Sequence, residues 1–284
     1  MKYVGYYNGQ FGALEDIRIP VLDRSVYFGD GCYDATSFAN NCIFAVEEHL
    51  ERFYNSCRLL GIDFEMSRED LTDALQKCID LNELDHGMLY WQASRATGYR
   101  AHRFPAGASP NLMIYTSPME MAPLGVRYKL ITVEDRRFYF CNIKTLNLIP
   151  SVLAAEQAER AGCDEVIFHR GERVTEGAHS NILIVKDGIL IAPPTDELIL
   201  PGITMKHLLR LADENKVATQ IRPFTLEETI HADEIIVSSS GALLSVASEI
   251  DGKKVGGRGE DTIKTLAEAY KEYYNRYTDS KTFI

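Results

Sequence analysis

Pro118, Pro123 and Gly125 follow closely on Ser117, and this stretch constrains the fold more than any other in the sequence. A proline removes a backbone donor and fixes φ, which interrupts the repeat of a strand and of a helix alike. The chain is therefore expected to fold as two pieces, residues 1–118 and 126–284, joined by a linker at 119–125. A length of 284 residues suits two domains, each with a core of its own.

Before the break, Tyr3 to Tyr7 alternates into the turn pair Asn8-Gly9, and Tyr33 to Phe38 runs into Asn40-Asn41; both patterns predict hairpins. A helix is predicted from about Glu47 to Leu60, with Leu50, Phe53, Tyr54, Cys57 and Leu60 on one face and Gly61 as its stop. Ser67 and Asp70 cap a second helix that buries Leu71, Leu75, Cys78 and Ile79. Met88 to Arg95 and Leu112 to Tyr115 read as strands. After the break, Val126, Tyr128, Leu130 and Thr132 restart a strand, and Lys144 is expected on the next one. Ser151 to Ala161 reads as a helix capped by Ser151 and closed by Gly162. Strands follow at Glu165 to His169, Ile182 to Val185, Ile189 to Ile191 and Ile235 to Val237. Helices are expected from Thr204 and over about Glu260 to Tyr274.

Charge narrows the function. A formal net charge of -11 opposes a sequence-independent grip on nucleic acid or an anionic membrane, which leaves small molecules as the expected ligands. The first ten residues lack the basic and apolar regions of a leader, and no run has the length of a membrane span, so a cytoplasmic protein is expected. The six cysteines form no C-x-x-C pair and the seven histidines no H-x-x-x-H or H-E-x-x-H spacing; no disulfide framework and no metal site are expected.

Lys144 is the residue with chemical promise. It follows Phe138-Tyr139-Phe140-Cys141 and precedes Leu146, Leu148 and Ile149, surroundings that would desolvate an ammonium group, favour the free amine and so suit a carbonyl-binding nucleophile. Taken alone, a lysine in such a run is more often a snorkelling surface residue. Pro201-Gly202-Ile203-Thr204 leads into a helix whose first amides and Thr204 hydroxyl could face a phosphate, and Ser239 and Ser240 could add donors; each also serves as plain turn or cap chemistry. Glu176 is a lone acid between Thr175 and Gly177. Arg100 to Arg103 forms a cationic loop able to clamp a carboxylate.

Together with Asp23-Arg24, Phe28-Gly29-Asp30-Gly31, Arg52, Ile143 to Asn147, Val174 to Gly177 and Ser180-Asn181, these motifs resemble the fold-type IV pyridoxal-phosphate transaminases over essentially the whole chain, and among them the D-amino-acid-specific members most closely. The resemblance implies an α+β fold with a small amino-terminal α/β domain and a larger pseudo-barrel domain. It implies that Lys144 forms the Schiff base with pyridoxal 5'-phosphate and shuttles the proton, and that Glu176 pairs with the pyridine nitrogen. Arg52, Ile203, Thr204, Ser239 and Ser240 are implied as phosphate ligands, with Leu200 supporting the ring. Tyr33, with Arg100 and His102 from the second subunit of a homodimer, is implied to hold the substrate carboxylate.

The activity implied is transfer of an amino group from a D-amino acid to a 2-oxo acid such as 2-oxoglutarate. A branched-chain L-amino-acid transaminase, an aminodeoxychorismate lyase and an amine transaminase share Lys144 and Glu176, and a non-enzymatic ligand-binding relative is the remaining alternative. Ala35 in place of a valine, His179 in place of a serine and the run Gly241-Ala242-Leu243-Leu244 depart from the pattern on the substrate side.

Overall fold

A computed structural model describes residues 3–283 of the chain. Within this range it separates into two compact units, and both are mixed helix and sheet. One holds the chain through Glu120 together with Ile143–Asn147 and Arg276–Thr282; the other holds Met121–Asn142 and Leu148–Asn275.

In the first unit, β1 (Val4–Tyr7) and β2 (Gln10–Ala13) form the hairpin expected at Asn8-Gly9. A short helix, α1 (Arg24–Phe28), follows. It went unrecognised because five residues are too few to display a helical period; its only cue is the cap, Asp23, whose carboxylate accepts from Ser25 N at 2.8 Å. Next come β3 (Gly31–Ala39) and β4 (Cys42–Ile43), whose turn holds Asn40 and Asn41 at positive φ as a tight hairpin requires. Helices α2 (Val46–Leu60) and α3 (Arg68–Asp80) match the expected periods, the second capped by Ser67. Strands β5 (His86–Ser94) and β6 (Asn111–Ser117) complete a six-stranded sheet of order β2-β1-β6-β5-β3-β4.

Period-two alternation gives β3 two faces. Cys32, Asp34, Thr36 and Phe38 are buried on one face, with Leu89, Trp91 and Ala93 of β5 and the apolar stripes of α2 and α3; Tyr33 and Ala35 are half-buried on the other. Each large apolar side chain sequestered here, Trp91 and Phe53 among them, contributes about 1.5–3 kcal/mol.

The second unit is built on β7 (Val126–Glu134), α4 (Ile149–Arg160), β8 (Glu165–Arg170), β9 (Arg173–Val174), β10 (Asn181–Lys186), β11 (Ile189–Ala192), α5 (Ile203–Glu214), β12 (Thr219–Ile221), α6 (Leu226–Ile230), β13 (Glu234–Ser238), β14 (Ser245–Ile250), β15 (Lys253–Lys254) and α7 (Glu260–Tyr277). Its nine strands follow the order β12-β11-β10-β13-β14-β7-β8-β9, with β15 on β14. Parallel and antiparallel pairs are mixed: β7 runs parallel to both β14 and β8, whereas β13 is antiparallel to β10 and β14.

Two local expectations need correction. Lys144 lies on no strand; its segment forms a turn and a single bridge, Cys32 to Thr145. Helix α4 starts at Ile149 with Leu148 as its cap position, so Ser151 lies inside it. Pro150 decides this, since a proline in the first helical turn gives up a donor that has no helical partner there.

Candidate active site

In the first unit the Lys144 segment is laid across the start of β3. Tyr33 N donates to Lys144 O at 2.9 Å, Leu146 N to Gly31 O at 3.1 Å, and Lys144 N to Ser56 Oγ at 3.3 Å. Gly31 permits this approach, because a Cβ there would stand 2.8 Å from Leu146 Cδ1 and 2.4 Å from Ala93 O. Lys144 is half-buried, and its Nζ sits 4.4 Å from the centre of the Tyr33 ring. Tyr33 in turn stacks on Tyr90 at 5.4 Å. Two of the residues singled out from sequence, Lys144 and Tyr33, are thus brought together.

Beneath Tyr33, on the buried face of β3, Arg52, singled out from the sequence, meets two residues that were not, Asp34 and His49. Asp34 accepts from Arg52 Nε at 2.9 Å and Nη2 at 2.7 Å, and its Oδ1 meets His49 Nδ1 at 2.7 Å. Burial pushes the Asp34 carboxyl up, but the Arg52 and His49 charges and bonds outweigh it and hold the group ionised well below the usual carboxylate range. Burial keeps His49 below its ordinary value against the pull of Asp34. The available signal was the spacing of His49, Arg52 and Ser56, which puts three polar side chains on one stripe of α2.

Arg100 and His102 are exposed on the irregular chain after β5 and share one support: the Arg100 guanidinium lies 4.9 Å from the Phe28 ring centre and the His102 ring 5.2 Å.

In the second unit, Glu176 is buried among Arg137, Asn181 and Leu200. Arg137 Nη1 pairs with Oε1, while Oε2 accepts from Asn181 Nδ2 at 3.1 Å and from Leu200 N at 2.9 Å. Arg137 was not singled out from the sequence. It bridges Glu176 to Asp135, whose Oδ2 it meets at 2.9 Å. Ile203 and Thr204 open α5, which has no side-chain cap at Gly202; a Cβ at Gly202 would fall 1.8 Å from Asn181 Oδ1. Thr204 is buried and bonded to the Tyr270 hydroxyl, and Tyr270 meets His207 Nδ1 at 3.0 Å. Ser239 Oγ accepts from Ala242 N at 3.1 Å, and Ser239 and Ser240 are both half-buried.

Residues 31–250 match the family described as amino-transferase class IV. The chain belongs to the class IV aminotransferases. It is 35% identical to a D-alanine aminotransferase of Staphylococcus aureus across 96% of this chain and 98% of that one, and 32% identical to a D-alanine aminotransferase of Bacillus licheniformis across 88% and 89%. Its fold is that of the branched-chain amino acid aminotransferase of Escherichia coli, with a TM-score of 0.90 at 22% identity over 99% of this chain and 97% of that one. A branched-chain aminotransferase of Thermoproteus uzoniensis gives 0.89 at 24% identity over 98% of each chain. The α+β fold-type IV expectation is met.

This aminotransferase is a pyridoxal-phosphate enzyme, and its residues fit that cofactor. The first unit offers a half-buried amine on an aromatic face; the second offers a buried carboxylate oriented by an amide and a backbone N–H, and an uncapped helix start whose cap position excludes a side chain. Among the described residues no cluster of three or more His, Cys, Asp or Glu could hold a metal ion, and no helix is long and apolar enough to cross a membrane.

Proposed function

We propose that this class IV aminotransferase moves the amino group of a D-amino acid, D-alanine or D-glutamate in type, to a 2-oxo acid such as 2-oxoglutarate, as a cytoplasmic homodimer. The observation that carries the reading is the exposed pair Arg100 and His102 held side by side on Phe28, a donor array suited to a carboxylate. The D-alanine aminotransferases to which the chain is similar support it. The reading divides the chain into domains at 1–118 and 126–284.

When bound, the cofactor supplies an electron sink for the bond that breaks at the substrate's α carbon. Lys144 Nζ would hold the cofactor covalently and serve as the base and acid for the proton at the substrate's α carbon. Tyr33, packed against Nζ, keeps the amine directed and partly shielded from water. Glu176 would pair with the ring nitrogen; Asn181 and the Leu200 N–H fix the orientation of its carboxylate, and Leu200 would support the ring. The Ile203 and Thr204 amides, the Thr204 hydroxyl, Ser239, Ser240 and Arg52 would hold the phosphate. Thr204 can meet Tyr270 and still serve, since a hydroxyl both donates and accepts, and an arginine's five donors make the Arg52 bond to Asp34 compatible with a phosphate contact. Because Lys144 works from one side, the hand of the substrate is set by where Tyr33 and the other subunit's Arg100 and His102 anchor its carboxylate.

The test is a half-reaction. Holoenzyme mixed separately with D-alanine and L-leucine should lose its visible cofactor absorbance with D-alanine alone. Conversion by L-leucine alone would sink the D-specific reading in favour of a branched-chain activity. Lys144→Ala should abolish turnover, a loss of at least about 10⁴-fold if the amine acts as both covalent anchor and proton carrier.

A further inference from the structure

The loop that carries Arg100 and His102 is not left to itself. From Arg95 to Pro110 the chain forms neither helix nor strand, a length of irregular chain seldom found in a compact domain without a function. Helix α1 and its flanks pin it at successive points. Arg24 N donates to Ala96 O at 3.0 Å, Gly98 N to Leu22 O at 2.9 Å, and the Tyr27 hydroxyl to Gly98 O at 2.7 Å.

The Arg24 side chain reaches further. Its Nε bonds Asp30 Oδ2 at 2.7 Å, and its Nη1 donates at 2.6 Å to the carbonyl of Ala101, the residue between Arg100 and His102. Phe28 is the second pin: Arg24 lies 4.8 Å from its ring centre, Arg100 lies 4.9 Å away and the His102 ring 5.2 Å. Past them, Arg95 is fixed by Asp30 and by the Leu60 and Gly61 carbonyls, and stacks on Phe104 at 3.5 Å. Asp30 ties Arg24 and Arg95 into one network.

We propose that Arg24 and Phe28 are positioning residues for carboxylate recognition: α1 sets the pose in which Arg100 and His102 meet the substrate. The inference rests on the assignment of Arg100 and His102 to the substrate carboxylate. Two exposed side chains on irregular chain sample many arrangements, whereas a two-point grip on a carboxylate needs one, so fixing the loop beforehand removes an ordering cost from binding. Arginine suits position 24 because its fork serves Asp30 and the Ala101 carbonyl at once; a lysine keeps the charge but serves one of them.

The experiment compares holoenzymes of wild type, Arg24→Lys, Phe28→Leu, Arg100→Ala and Phe28→Leu/Arg100→Ala. Single-turnover loss of cofactor absorbance is measured with D-alanine and with ethylamine, the same amine without its carboxylate, and backbone deuterium exchange is followed over residues 96–105. Arg24→Lys and Phe28→Leu should each weaken saturation by D-alanine about tenfold, leave ethylamine unchanged, keep cofactor bound and speed exchange in the loop. Phe28→Leu should add little once Arg100 is gone. If Arg100→Ala loses the preference for D-alanine while Arg24→Lys and Phe28→Leu retain it, the positioning role is overturned and the Arg100 assignment stands. If Arg100→Ala itself retains the preference, that assignment fails and the inference with it. An equal fall with both amines would mark Arg24 and Phe28 as supports of the fold alone and overturn the proposal.

Discussion

Asp135 shows how single residues in the second unit depend on charge. Its carboxylate receives Arg137 Nη2 at 2.9 Å, Thr175 Oγ1 at 2.9 Å and Arg170 Nε at 3.2 Å. Burial pushes its pKa up, and the bonds and charge of Arg137 reverse this, leaving it at about 2 against an ordinary 3.8. A group whose native value lies below its unfolded value contributes stability that is full above the unfolded value and is lost as pH falls through the native one. Asp135→Asn should therefore lower stability at pH 7 by about 3–5 kcal/mol, the scale for stripping one partner from a buried ion pair. The gap in thermal midpoint between wild type and variant should close as pH falls from about 4 towards 2. A gap of constant size across that range would show that Asp135 is not the group responsible.

At the scale of elements, α2 and α5 each do two jobs with separate stripes. The apolar stripe of α2, Leu50, Phe53 and Cys57, is buried in the core; the neighbouring stripe, His49, Arg52 and Ser56, meets Asp34 and the backbone of Lys144. The first stripe was legible from its apolar period and Arg52 from the family motif, whereas His49, and the acid that both meet on a strand, leave no period to read. Helix α5 buries His207, Leu208 and Leu211 and presents its uncapped start at Gly202. Gly202→Ala places a methyl 1.8 Å from Asn181 Oδ1, so either Asn181 or the helix start must shift, and Asn181 is also what orients Glu176. Cofactor affinity measured by equilibrium dialysis should fall on the order of tenfold, the equivalent of one neutral hydrogen bond. Helix content by circular dichroism should stay constant. Unaltered affinity would remove the helix start from the cofactor site.

For the molecule as a whole, the legible features were those with local causes: hairpin turns, caps and apolar stripes; Lys144 and Glu176 stood out only through the family motifs around them. The Lys144 segment was misread as a strand because its hydrogen bonds go to Gly31, Tyr33 and Ser56, far away in sequence, and the Asp135–Arg137–Glu176 chain stayed hidden because an ion pair leaves no period. Of the exposed apolar side chains, Phe138, Tyr139, Phe140 and Ile149 were read only as flanks of Lys144. Phe138, Tyr139 and Phe140 are 57%, 63% and 63% exposed, and Ile149, Val152 and Leu153 are 70%, 58% and 65% exposed. Exposed apolar side chains are candidates for burial against a partner, and a second copy of the chain is the occupant that the proposed sharing of Arg100 and His102 demands. Wild type should sediment with the mass of two chains. Placing a carboxylate in an apolar interface costs several kcal/mol unless it is paired, so Val152→Glu with Leu153→Glu should shift the species towards one chain. Transamination should fall with the dimer fraction on dilution, because a lone chain lacks the second subunit's Arg100 and His102, while cofactor absorbance persists. A double variant that remains dimeric would remove this face from the interface, and a fully active single chain would end the shared-site reading.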